Sequence, residues 1–325
     1  MLYGDLAIVL NLLSVAVLSF AVSIAVITVA SHPLLSRLHK LTLTVRRTVL
    51  WILNTLPWWV ALGCVLFYWP REINYFTSPW LNEFAHWHHI DMFSYTSWHS
   101  VTLMCALGYF CWSFVSTWRL RYKQMSSMTS LINLASVEEN KSTEQPFHCL
   151  NLSAPTAFTT GFLTPKVYIS TALKKHLSDQ ELSIILRHEM AHVEAKDPLF
   201  KVIFSALAAF YPAFIARHLV VQYTLLTEQV ADAKTAQQYD TLDIAQTLIN
   251  VARIQRSLEQ DSKALPISYF GNDQTTARVQ NLITPVLSSS QLTIALTLGL
   301  VVIAALLTTS VVDSLHHFIE TIFTH

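Results

Sequence analysis

Charge is scarce in this chain. Only 13% of its 325 residues are Asp, Glu, Lys or Arg, against 52% that are apolar; a soluble domain of this length carries roughly twice that charged fraction. The apolar surplus implies that lipid is the solvent for part of the molecule. An excess of either sign is also missing, since 21 basic and 21 acidic residues balance, and with it goes the electrostatic reason to expect nucleic acid as a ligand. CxxC spacing is absent. The four cysteines, Cys64, Cys105, Cys111 and Cys149, lie scattered, three of them inside apolar runs, and read as packing residues. No cleavable leader is expected, because the first apolar run has no basic flank before it and is long enough to span. Internal repeats and low-complexity tracts are lacking too.

What is present begins with four charge-free stretches, each near the length of about 20 residues that a spanning helix needs: Leu6–Ala30, Thr48–Trp69, His99–Trp118 and Gln291–Val312. Arg37, Lys40, Arg46 and Arg47 crowd the loop 31–47, Arg119, Arg121 and Lys123 follow the third stretch, and the segment 70–98 holds Arg71 as its one basic residue. By the positive-inside rule the basic segments are cytoplasmic. Residues 1–118 then form three spans with an external N-terminus and an external loop 70–98. Residues 119–290 lie in the cytoplasm, 291–312 cross back, and 313–325 make a short external tail, too short to fold as a sensor. A bacterial inner membrane suits this plan. A further apolar run, Val202–Ala216, contains Pro212 and is flanked by Lys201 and Arg217; it is too short to cross reliably, so a membrane-associated helix is expected over about 199–220. In the external loop, His86, His88, His89 and His99 stand among Trp80, Trp87 and Trp98, which reads as rings resting at headgroup level rather than as a metal or pH sensor.

Within the cytoplasmic part, Phe147–Ser153 and Pro155–Thr171 alternate apolar and polar residues, with Gly161 and Pro165 as turn residues, and predict a small sheet. The polar stretch Glu138–Gln145 reads as a surface loop. Ser178 and Glu181 form a capping box that opens a helix running to about Glu194. Asp197 and Pro198 stop it, with Asp197 placed to cap the next helix.

That helix carries His188-Glu189-Met190-Ala191-His192. Imidazoles at i and i+4 stack on one helix face about 6 Å apart, where both can hold one Zn²⁺. Glu189, one residue round, is placed to take a proton from the attacking water, whose pKa a bound metal lowers from about 15.7 toward about 7. A catalytic zinc needs a third protein ligand and an open position. The variant with a third histidine after xxGxxH is excluded, since Ala195 and Pro198 occupy those places. A downstream helical glutamate remains, and Glu228 in Glu228-Gln229-Val230-Ala231-Asp232 is assigned as that ligand. Asp232, one turn on, is placed to accept the N–H of a ligand histidine and fix its tautomer; the alternative for Asp232 is a surface pair with Lys234.

The order of these motifs resembles the BlaR/MecR-type family of integral-membrane gluzincins. The likeness runs over Ala154-Pro155-Thr156-Ala157-Phe158-Thr159-Thr160-Gly161-Phe162-Leu163-Thr164-Pro165, Val167-Tyr168-Ile169-Ser170, Leu177–Asp197 and the Glu228 helix, about a third of the chain. It implies an α-helical integral membrane protein with an α+β gluzincin-type peptidase domain, one catalytic Zn²⁺ on His188, His192 and Glu228, and Glu189 as base. It implies that Ala157, Phe158, Thr159, Thr160 and Gly161 form the edge strand that binds substrate, in keeping with strand addition as a recognition mode. Arg278 matches an arginine of such peptidases and would hold Asp232 or the substrate carbonyl, unless it is simply a basic residue just inside the last span. His148, Tyr223 and Arg278 are candidates to stabilise the oxyanion. No Ser-x-x-Lys occurs, so β-lactam acylation is not expected.

The function read from the sequence is a zinc endopeptidase that cleaves a cytoplasmic repressor or other regulator in envelope signalling. Its expected partners are that protein substrate, the bilayer, an envelope sensor and a second copy of the chain. An HtpX-like quality-control protease and a non-catalytic zinc-holding scaffold are the alternatives.

Overall fold

A backbone in hydrocarbon must satisfy its own hydrogen bonds, so long charge-free runs fold as helices. The computed structural model describes residues 1–70, 91–95, 97–134, 137–140, 146–261 and 271–323. Each of the four apolar runs folds into one helix, α1 (Asp5–Leu35), α2 (Leu43–Phe67), α3 (Trp98–Leu134) and α10 (Gln291–Phe323), with Tyr68 and Trp69 of the second run lying just past the end of α2. All four are long and apolar enough to cross a membrane. Their ends differ from the sequence reading. The helix of α3 continues well past Trp118, and α10 stays helical through Phe323. Hydropathy marks where a helix can sit in lipid, whereas its hydrogen bonds continue through polar residues such as Asp313.

α1 packs chiefly on α2 and α10, and small hydroxyls stitch the bundle: Ser23 and Thr308 meet at 3.1 Å between α1 and α10. α3 is the least buried, with 6% of its apolar stretch buried against 50% for α2; most of its apolar side chains face outward, while Phe110 packs on Phe20, Trp58 and Phe210. Cys105 and Cys111 are among these exposed residues, whereas Cys64 and Cys149 are buried, and all four are free thiols. A two-residue ladder, β1 (Leu2–Tyr3) with β2 (Met92–Phe93), ties the N-terminus to the segment before α3. The residues of the 70–98 loop that carry His86, His88 and His89 lie outside the described residues; Trp98 and His99 stack at 3.9 Å in the first turn of α3.

The chain between α3 and α10 starts with a sheet of order β3-β4-β6-β5 built from β3 (Val137–Asn140), β4 (Phe147–Leu150), β5 (Ala157–Thr160) and β6 (Lys166–Ser170). β4 and β6 are parallel; the outer pairs are antiparallel. Gly161 sits at φ +112°, where a Cβ would stand 2.7 Å from the Thr164 carbonyl oxygen, so the turn between β5 and β6 requires glycine. The expected loop Glu138–Gln145 is corrected in its first part. Residues 138–140 belong to an edge strand paired with β4, and polar side chains are what a sheet edge tolerates; residues 141–145 lie outside the described residues.

The short helix α4 (Thr171–Lys175) leads into α5 (Asp179–Ala195), which opens on the capping box: Ser178 Oγ accepts from Glu181 N–H, and Ser178 N–H donates to Glu181 Oε2 at 2.9 Å. Next come α6 (Asp197–Ala208), α7 (Ala213–Thr235), α8 (Thr241–Asp261) and α9 (Gly271–Ile283). The single helix expected over about 199–220 is a hairpin instead. Pro212 has no N–H to continue the ladder, and α7 starts immediately after it. The hairpin packs on α2: Phe204 and Tyr223 stack at 4.2 Å beneath Trp51, Asn54 Nδ2 donates to the Phe204 carbonyl, and the Tyr211 hydroxyl donates to the Leu53 carbonyl. One apolar core thus runs from the bundle into the helix that carries Glu228.

Candidate metal centre

Two adjoining helices and one edge strand bring the site together. α5 presents His188, Glu189 and His192; α7, returned by the Pro212 hairpin, presents Glu228 and Asp232; β5 lies alongside α5. His188 Nε2 stands 3.3 Å from both His192 Nε2 and Glu228 Oε2, and the remaining side of the triangle is 3.5 Å. Ligands at about 2.0–2.1 Å from a tetrahedral zinc lie about 3.3–3.4 Å from one another. The three donor atoms are therefore spaced as ligands of one zinc ion, and they are the metal-competent cluster found among the described residues.

Each imidazole is held from behind. His188 Nδ1 meets Asp232 Oδ1 at 3.0 Å and His192 Nδ1 meets Asp197 Oδ2 at 2.6 Å, which turns both Nε2 atoms toward the same point. Asp232 is 0% exposed, so it is no surface carboxylate, and Lys234 pairs with Glu194 instead. Arg278 lines the same cavity as His188 and Glu189 and makes a two-point clamp on Asp232, Nε to Oδ2 at 2.8 Å and Nη2 to Oδ1 at 2.7 Å, with Nη2 also 3.3 Å from His188 Nε2. Its Nη1 reaches 3.5 Å from Glu228 Oε2. Of the three oxyanion candidates it alone has atoms at the donor triangle: His148 stacks on Tyr168 in the sheet, and Tyr223 faces the aromatic core.

The electrostatics call for a cation. Glu189, Glu228, Asp232 and Asp197 bring four carboxylates into contact with the network, and Arg278 and Lys201 answer with two positive charges. With both imidazoles neutral, as metal ligands must be, two negative charges remain, which a divalent ion would balance. Burial disfavours the Glu228 carboxylate, yet His188, His192 and Lys201 hold its pKa well below the ordinary value. Burial likewise opposes charge on His192, and its bonds to Asp197 and Glu228 win, raising its pKa to about 9; His188 is raised in the same way by Asp232 and Glu228, against burial and Arg278. Burial opposes charge on Arg278 too, and Asp232 followed by Glu228 raises its pKa above the usual arginine range.

Glu189 is held by the strand expected to bind substrate. The Thr159 hydroxyl donates to Glu189 Oε2 at 2.7 Å. β5 is an edge of the sheet among the described residues. Ala157 shares the α5-facing side with Thr159 and lines a cavity of about 210 Å³ beside His188 and Glu189, walled by Ile184, Leu248 and Val251. Phe158 points to the other face, stacked on Tyr168 at 5.5 Å; Thr160 pairs with Lys166, and Gly161 makes the turn.

Three contacts escaped sequence reasoning. Asp197, expected to cap a helix, makes no cap and instead grips His192; Lys196, in the left-handed region at φ 52°, breaks the chain between α5 and α6 so that residue i+5 reaches back. Lys201 Nζ donates to Glu228 Oε1 at 3.1 Å, leaving Oε2 for the triangle. Thr159 on Glu189 is the third. The i+5 aspartate followed by proline was a readable signal; the other two depend on how separate elements pack.

Two histidines and a glutamate on adjoining helices, with a glutamate next to the first histidine, define a single-metal peptidase centre. Residues 130–309, more than half of the chain, match the profile of peptidase family M48; the chain belongs to that family and is a metallopeptidase of a kind that is typically zinc-dependent. Neither curated proteins nor solved structures give a match.

Proposed function

We propose that this protein is a membrane-anchored zinc endopeptidase that cleaves protein segments presented at the cytoplasmic face of a bacterial inner membrane. The observation that carries this reading is the donor triangle with Glu189 beside it, tied to an edge strand by Thr159. His188, His192 and Glu228 would hold the zinc, which when bound polarises the scissile carbonyl and acidifies water. Glu189 takes the proton from the attacking water and passes it to the leaving amine nitrogen. An extended substrate pairs with β5 through main-chain bonds that demand little sequence. One apolar side chain enters the cavity walled by Ile184, Leu248 and Val251, and Arg278 faces the carbonyl oxygen as negative charge develops on it.

The likeness to BlaR/MecR-type peptidases supports a regulator as substrate, with the basic loop and residues 119–290 in the cytoplasm and both termini outside. The sequence tolerance of strand pairing equally suits HtpX-like quality control. Comparing cytoplasmic and membrane proteins of wild-type and Glu189→Gln cells separates the two. One intact regulator accumulating supports the first, and broad stabilisation of misfolded membrane proteins supports the second. Stoichiometric zinc with no substrate accumulating at all would overturn both in favour of a scaffold.

A further inference from the structure

A second buried charge lies away from the metal. Arg46, in the first turn of α2, is 5% exposed. Its Nη1 donates to Gln229 Oε1 at 2.8 Å and its Nη2 to Gln222 Oε1 at 3.3 Å, both neutral amides, and its Nε is buried with no partner among the described residues. The sequence offers no local remedy: between Asp5 and Glu72 there is no Asp or Glu. A buried guanidinium facing neutral groups alone is costly, since such charges are ordinarily paired.

Beside it lies a cavity of about 640 Å³, bounded by the ends of α1 and α2, by α7 and by α9. Its wall, among the described residues, carries Arg46, His39 and His218 and no carboxylate, next to an apolar side formed by Leu35, Phe214 and Ile215. The cavity sits where three candidate spans begin or end. Ser290 N–H donates to the Lys40 carbonyl at 3.2 Å and Thr42 N–H donates to Ser289 Oγ at 3.1 Å, which draws the start of α10 to the segment joining α1 and α2. That is the level of lipid headgroups, where basic pockets between helices recognise them.

We propose that this cavity is a binding site for an anionic phospholipid, with the phosphate on Arg46 and the acyl chains against the apolar side. The anionic kind follows from the wall, which has no carboxylate to receive the ammonium of a zwitterionic headgroup. The site also reaches the metal centre. Gln229, which accepts from Arg46, donates through Nε2 to the Ala277 carbonyl at 3.1 Å, and its sequence neighbour is Glu228, as Arg278 is that of Ala277. An occupant of the cavity therefore steadies one side chain that links the Glu228 helix to the Arg278 helix.

The inference rests on the membrane reading and is tested on the full chain in an uncharged detergent. Short-chain phosphatidylglycerol, short-chain phosphatidylcholine and inorganic phosphate are titrated, with binding read by native mass spectrometry. One equivalent of phosphatidylglycerol is expected. Arg46→Gln weakens it by about tenfold or more, the weight of one charge-assisted hydrogen bond, and Arg46→Lys restores part of it. Leu225→Trp, which fills the cavity and keeps Arg46, Gln222 and Gln229 in the chain, blocks binding and decides the matter if Arg46→Gln does not fold. Equal affinity for phosphatidylcholine, or undiminished binding in both variants, overturns the proposal. Inorganic phosphate bound as tightly, with the same dependence on Arg46, keeps the phosphate site and overturns the lipid source. A chain that stays dispersed without detergent overturns the membrane reading itself, whereas a detergent-dependent chain with no lipid bound overturns this inference alone.

Discussion

The helix bundle and the metal centre bury polar groups in opposite ways. In the bundle, Arg46 apart, they are uncharged and mostly spent singly: Ser14 on the Leu10 carbonyl, Asn54 on the Phe204 carbonyl, Thr297 on the Thr293 carbonyl, Ser23 on Thr308. At the metal centre the charged groups share partners in one network: Glu228 meets His188, His192, Lys201 and Arg278, and Asp232 meets His188 and Arg278. Substitutions in the bundle should accordingly act locally, and substitutions at the centre should propagate.

The largest expected effect is on turnover. Glu189→Gln keeps the shape of the side chain and its bond from Thr159 but removes the base, so peptide hydrolysis falls by about 10²–10⁴-fold, the usual weight of a general base, while bound zinc stays at one equivalent. Activity assayed on an unfolded protein, together with zinc by mass spectrometry, checks this; a Glu189→Gln protein with undiminished activity would break the assignment. Next comes metal affinity. Asp197→Asn and Asp232→Asn each release one imidazole from its orienting bond, and zinc affinity drops by about 10–100-fold. If Asp197→Asn bound zinc as the parent does, the contact at His192 would be a packing coincidence. Ser23→Ala, in the bundle, leaves zinc affinity unchanged.

A third effect is set by pH and has opposite signs with and without metal. In the metal-free protein the pKa of His192 is raised from 6.5 to about 9. Its protonated form therefore stabilises the fold, a contribution complete below pH 6.5 and lost as the pH rises through about 9. Zinc needs the neutral ring, so its own stabilisation grows over the same window. Melting temperatures of chelator-treated and zinc-loaded protein should diverge between pH 6.5 and 9, and parallel curves would sink the assignment of His192 as a ligand.

How much of this was legible in the sequence follows the same division. The four membrane-length helices announce themselves through length and lack of charge, but their ends do not, because hydrogen bonding continues where hydropathy stops. At the centre, i,i+4 spacing disclosed His188 and His192 with Glu189 between them, and spacing on a second helix disclosed Glu228 and Asp232. Of the residues that hold them, Asp197 left a signal in its place five residues after His192 and before a proline, and Thr159 and Lys201 left none. Asp197 acts through a left-handed backbone at Lys196, a residue type that seldom adopts it. Thr159 and Lys201 act across elements whose approach is fixed by packing on α2 and the sheet. Arg278 was legible as a residue with two roles open, and the clamp on Asp232 settles one of them.

The smallest effect tests the comparison most directly. A double-mutant cycle on Ser23 and Thr308 isolates one hydrogen bond between α1 and α10, and such bonds between helices in lipid average about 0.6 kcal/mol. The Thr308 hydroxyl also bonds the Ala304 carbonyl at 2.6 Å, so losing Ser23 strands nothing and the cycle should stay near that value. The same cycle on Asp232 and Arg278 meets a different situation. Removing Arg278 leaves Asp232 buried with His188 as its remaining partner, and breaking a buried pair on one side costs about 3–5 kcal/mol. Unfolding of the four variants of each pair in one detergent gives both numbers. Comparable coupling in the two pairs would mean that the bundle holds its hydroxyls as a network too, and the contrast between the two regions would fail.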